Sequence, residues 1–151
     1  GSSMGGWIAF LLAKHKPLRV HSILGIAAAP DFTEDSMWEQ FDKKQRSQIM
    51  ENGFIHQESE YSAEPYKISK NLIINSRKCL ILREKLELPF PVRLLQGTDD
   101  CDVPVDLAIK LLKHLDSPDA KLEIVKGANH SFSSESCLSL ISQNIDNLMK
   151  K

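Results

Sequence analysis

A serine, an acid-rich loop and a histidine, met in that order along 151 residues, have the types and order that acyl transfer through an activated hydroxyl requires. The serine is Ser3, within Gly1-Ser2-Ser3-Met4-Gly5. Gly-x-Ser-x-Gly suits a sharp, strained turn that presents a hydroxyl at a helix N-terminus, with Gly1 and Gly5 where side chains would collide. By itself the pentapeptide is weak, because Gly-Ser-Ser ahead of Met4 also fits a cloning remnant. Asp99, Asp100 and Asp102 compete for the role of acid. Asp100 is preferred because it stands early in the loop after the apolar run 92–96, where a carboxylate can turn back over a strand end, whereas Asp102 suits bracing the turn before Val103-Pro104. All three also suit the plainer task of stopping a strand and capping a helix. The base is His130, in Gly127-Ala128-Asn129-His130-Ser131-Phe132. Loop histidines are commonly surface residues, and His15, His21, His56 and His114 are assigned no chemistry. His130 alone follows a strand-like run on a loop containing Gly-Ala. There it would accept the Ser3 proton and pass it to the leaving group, with Asp100 fixing its tautomer.

The elements that must position these residues are legible in outline. Segment 4–14 predicts a helix that ends in Lys14-His15-Lys16 and stops at Pro17. Runs 20–29, 92–96 and 122–126 read as strands; the alternation over 121–126 suits a strand near a sheet edge. A helix is predicted over 105–115, and helical segments between strands imply a parallel sheet with right-handed crossovers. Between 31 and 88 the chain turns polar, with scattered Phe32, Trp38, Phe41, Phe54, Tyr61 and Tyr66. This insert predicts helices over 37–50 and 66–82, joined through Asn52-Gly53 and the stretch 59–65.

Three signals in one order, each on the required kind of loop, weigh against coincidence and against the remnant reading. Together with Gly6-Trp7, Gln96-Gly97-Thr98-Asp99-Asp100-Cys101-Asp102-Val103-Pro104, Ala27-Ala28-Ala29-Pro30-Asp31-Phe32 and the Tyr61-Ser62 region, they make the chain resemble the C-terminal part of an α/β-hydrolase. The fold class implied is α/β, a parallel sheet flanked by helices with a helical cap insertion over about 31–88. Within that fold the resemblance is to the abhydrolase branch of acyl-protein thioesterases and acyl-glucuronide esterases, with its bacterial relatives. It implies Ser3 as nucleophile, Asp100 as acid and His130 as base. Many members carry histidine where this chain has Gln96, a departure expected to leave the triad untouched. The implied substrate is a small-molecule acyl ester or thioester, with no cofactor and no metal. One oxyanion donor would be the Met4 amide, and the other would come from a loop after an earlier strand. Neither that loop nor the strand ahead of Ser3 is found in the sequence. The chain alone is therefore expected to be weakly active or inactive, and to need an N-terminal hydrolase half or self-association through an open sheet edge. A non-enzymatic split or truncated hydrolase and a hydrolase acting on another bond are the competing readings.

Composition narrows the field further. Lys and Arg number 19 against 20 Asp and Glu, which leaves no electrostatic footprint for nucleic acid. With 42% apolar residues the chain can bury a core, though whole domains of this fold are usually larger. Cys79, Cys101 and Cys137 lack the pairing of a disulfide framework or zinc site, so a reducing, cytoplasmic setting is expected. No apolar stretch reaches the roughly 18 residues of a membrane span.

Overall fold

A computed structural model describes residues 1–58 and 64–150; Tyr61 and Ser62 lie outside them. The chain divides into two compact units, one formed by residues 1–30 and 81 onward, the other by Asp31–Leu80.

The first unit is built on a three-stranded parallel sheet of β1 (Ile23–Ile26), β5 (Val92–Gly97) and β7 (Ala120–Val125), in the order β1-β5-β7. Each strand is in register with its neighbour: Ile23 lies opposite Val92, and Val92 opposite Ala120. β5 is central and buried at every position, as a near-continuous apolar run requires. Its faces alternate. Leu94 lies beside Gly25 and Phe10 of α1 (Met4–His15), whereas Leu95 packs with Phe132 and with Cys137 of α5 (Glu135–Met149). α4 (Val105–His114) packs on β5 and β7. β7, alternating and half exposed, is an edge of the sheet among the described residues. β1 is shorter than the expected 20–29: a turn of 3₁₀ helix holds Pro17–Arg19, and Ala27 breaks the extended backbone with φ 44°.

The second unit departs further from expectation. A π-helical turn, Thr33–Trp38, precedes α2 (Lys43–Asn52). The helix starts at a reciprocal cap in which Asp42 accepts from the Gln45 amide at 2.7 Å and Gln45 from the Asp42 amide at 2.9 Å. It ends at Gly53 with φ +83°, the left-handed cap that favours glycine. β2 (Phe54–Gln57) and β3 (Tyr66–Ser69) then pair antiparallel, with Ile55 opposite Ile68. The helix expected over 66–82 is therefore a strand followed by the short α3 (Lys70–Ser76), started by Ser69 accepting from the Leu72 amide. The insert is mainly helical, as expected, with this strand pair added. Only Ile55 and Ile68 of this hairpin are buried, too few to show a period of two in the sequence. They join Phe41, Ile49 and Ile73 in one apolar core with Met37 and Trp38. The unit stops at Leu80, short of the expected 88, because β4 (Leu86–Glu87) pairs with β6 (Leu115–Asp116) in the first unit.

Candidate active site

Parallel strands place the loops after their C-terminal ends along one edge of the sheet, and Ser3, Asp100 and His130 all stand there. Ser3 is reached through a parallel bridge between Ser2 and Ile26, the last residue of β1. The Ser3 amide donates to the Ile26 carbonyl at 2.9 Å, and the Ile26 amide to the Gly1 carbonyl at 3.0 Å. The Gly1 nitrogen lies beside β1 and donates to the Leu24 carbonyl at 2.8 Å. Ser3 has φ 51° and ψ −125°, a conformation that L-residues hold only under constraint, at about 1–3 kcal/mol. Part of that constraint is Gly1, where a Cβ would stand 2.3 Å from the Gly5 carbonyl oxygen. Gly5, expected as the second elbow glycine, has nothing within 4 Å of a Cβ position; the close approach falls at Gly6, 2.6 Å from the Ala28 Cβ. Met4 opens α1, so its N–H has no acceptor within the helix and is available to an oxyanion.

Asp100 and His130 are brought together because the loops after β5 and β7 are tied to each other. The Asp99 amide donates to the Ala128 carbonyl at 3.0 Å, and the Gly127 amide to the Thr98 hydroxyl at 2.8 Å. Gly97 permits this crossing: a Cβ there would meet the Ala128 carbonyl oxygen at 2.0 Å. Asp100 has a fully buried side chain, and its Oδ1 accepts the Asp102 amide at 3.0 Å and the Val103 amide at 2.8 Å. Of the three competing acids Asp100 lies within hydrogen-bond distance of the histidine ring; Asp99 is exposed and accepts from the Thr98 hydroxyl, and the Asp102 amide donates to Asp100.

His130 Nδ1 lies 3.1 and 3.0 Å from the two Asp100 oxygens, and Nε2 lies 3.1 Å from Ser3 Oγ. An ionised carboxylate only accepts, so the ring donates through Nδ1 and leaves Nε2 free to accept from the serine hydroxyl. This chain of contacts can withdraw a proton from Ser3 and hold the resulting imidazolium. Donor atoms of Asp100, Asp102 and His130 lie within 4.8 Å of one another, the spacing a metal ion could bridge. The Asp100 oxygens, however, are already engaged by the backbone, the histidine and one further side chain.

That further side chain is Gln96. It was expected to stand clear of the triad, yet its Nε2 donates to Asp100 Oδ2 at 2.9 Å. The residue is the fifth of a buried strand and its neighbour in space is four positions on, a relation created by the loop rather than by strand periodicity. No spacing rule of the sequence shows it.

No protein-family profile matches the chain. Along its whole length it is 28% identical to the bovine mitochondrial palmitoyl-protein thioesterase ABHD10 and 26% to the human one, in each case over 49% of the relative. The chain thus spans about half the length of the curated relatives it matches. Among solved structures it is similar to an assigned hydrolase of Agrobacterium vitis S4, with 33% identity, a TM-score of 0.93 and coverage of 98% of this chain and 59% of that one. It is also similar to mouse α/β hydrolase domain-containing protein 10, with 26% identity, a TM-score of 0.88 and coverage of 99% and 60%. The mitochondrial location in the relatives' names is not the cytoplasmic one expected from the cysteines. No helix among the described residues is long and apolar enough to cross a membrane.

Proposed function

We propose that this chain, which carries the C-terminal part of an α/β-hydrolase fold, supplies the Ser3, His130 and Asp100 triad of a serine hydrolase acting on carboxylic esters or thioesters. One observation carries the reading: the unbroken contact from Ser3 Oγ through both ring nitrogens of His130 to Asp100, with its two ends 127 and 30 residues from His130 in sequence. In this mechanism Ser3 Oγ attacks the acyl carbonyl as its proton passes to His130 Nε2. The tetrahedral oxyanion is stabilised by the Met4 amide at the start of α1. Collapse breaks the bond to the thiolate or alkoxide leaving group, which takes the proton from His130, and Ser3 is left acylated. Water, deprotonated by His130, then releases the carboxylic acid and restores the serine. Asp100 stays ionised throughout and holds the imidazolium.

The relatives named as palmitoyl-protein thioesterases favour a long-chain acyl thioester among the esters this triad can open. The test is turnover of palmitoyl-thioester, aryl-ester and peptide substrates by the protein that carries this chain. Thioester hydrolysis should exceed the other two, and Ser3→Ala should lower kcat by about 10⁴-fold or more with melting unchanged. Undiminished turnover in Ser3→Ala, or a preference for peptides, would overturn the reading.

A further inference from the structure

Gln96 is wholly buried at the end of β5. Its Nε2 donates to Asp100 Oδ2 at 2.9 Å and to the Val103 carbonyl at 2.8 Å, while its Oε1 has no partner among the described residues. A buried amide that leaves its oxygen unpaired is oriented by what its nitrogen donates to. Turned over, it would set Oε1 against a carboxylate and a carbonyl, two acceptors with no proton between them.

The two Asp100 oxygens are held differently. Oδ1 is fixed by the Asp102 and Val103 amides, both part of the loop itself. Oδ2 accepts from His130 and Gln96. The terminal torsion of an aspartate is soft, and turning about it moves both oxygens of the rigid carboxylate. The Gln96 amide on Oδ2 therefore braces the group, and with it the ring of His130, against a rotation that the loop amides resist from the Oδ1 side alone. The second Gln96 bond reaches the Val103 carbonyl and so ties the end of the acid loop to the strand where it begins.

Resting on the serine-hydrolase reading above, we infer that Gln96 is a positioning residue of the triad, which aligns His130 with Ser3 by fixing Asp100 Oδ2. It does so with an amide, a donor that carries no charge and does not titrate, in a place where an ionisable side chain would couple to the acid. The other titratable groups around the pair are Asp102, whose carboxylate is within 4.8 Å, Asp99, exposed and bonded to Thr98, and Cys101, whose exposed thiol faces the Asp99 carbonyl at 3.8 Å.

The experiment compares Gln96→Leu, Gln96→Glu and Gln96→His with the wild type in the protein that carries this chain. Gln96→Leu removes both donors; kcat should fall about tenfold with KM within twofold, since no substrate contact is lost. Gln96→His restores an N–H and should recover most of that loss. Gln96→Glu separates positioning from mere filling of space. Neutral, its carboxyl donates as the amide does; ionised, it adds a negative charge beside Asp100 that favours the imidazolium of His130. The acidic limb of the kcat/KM profile should then move up by about half a pH unit or more. The ring-nitrogen NMR titration of His130 should move in the same direction, a readout that needs no turnover and survives if Gln96→Leu does not fold. An active wild type whose kcat is undiminished in Gln96→Leu, with limb and titration unchanged in Gln96→Glu, would overturn the inference alone. A wild type inactive on every ester and thioester, with His130 still shifting in Gln96→Glu, would overturn the hydrolase reading and the catalytic meaning of the contact with it.

Discussion

The interiors of the two units are made differently. In the Asp31–Leu80 unit the core is Phe41, Ile49, Ile55, Ile68 and Ile73, and the helices are closed by neighbours in sequence: Asp42 with Gln45, Ser69 with Leu72, and Gly53 past the end of α2. Its buried polar residues are Thr33 and Ser76, the first donating to the Oγ of the second at 2.7 Å, and Asp31, fully buried at the first position of the unit with φ 58°. In the sheet unit Arg93, Gln96 and Asp100 are buried, and backbones with positive φ occur at Ser3, Ala27 and Phe132. There the deciding bonds join distant parts of the chain, His130 to Ser3 and Arg93 to Asp119 at 2.9 Å. Beyond Asp31, one unit obeys local rules and is stabilised mainly by apolar burial. The other breaks them around three side chains and compensates through long-range hydrogen bonds, the pattern expected where structure serves chemistry.

Substitutions can sharpen or break that contrast. The largest structural effect should come from Gly97→Ala in the sheet unit, because the neighbour at 2.0 Å is backbone and cannot swing away. A loss of about 4 kcal/mol in chemical denaturation is expected, with activity lost in any protein that still folds. An effect below about 1 kcal/mol would show that the acid and base loops are not locked together. Next is Ile73→Ala, fully buried in the apolar core of the other unit. It should cost about 3 kcal/mol by cavity formation and speed amide exchange across β2 and β3. Wild-type exchange there would mean that this core does not hold the hairpin. The smallest effect is that of Asp42→Ala, worth about 1 kcal/mol of helix capping and readable as a small drop in melting temperature. A drop as large as that from Ile73→Ala would show the cap to be more than local.

The ease of reading the two units runs opposite to their regularity. The sheet unit was legible because β5 is a continuous apolar run, β7 alternates, Asp100 and His130 each follow a strand with a clear end, and Ser3 stands at the start of a helix. The second unit was misread where its elements are shortest. Tyr66–Ser69 has one buried residue, and its partner strand ends at Gln57, too far back in sequence for a two-residue turn signal, so neither periodicity nor a tight turn announced the pair. Boundaries were set by backbone events with weak signatures, such as the positive φ of Ala27, an alanine that nothing in the sequence marks as strained.

By itself the sequence determined which reaction class to propose, the order of the three candidate groups and the α/β character of the frame, because strands, caps and glycine turns are written in neighbouring residues. The tertiary structure alone decided which of three aspartates meets the histidine, which glycine is sterically required after Gly1, and that Gln96 touches the acid. Each of these is a distance between atoms on different loops. Such distances are fixed by strand register and by backbone passing within a few ångströms of backbone, and no local pattern of side chains encodes them.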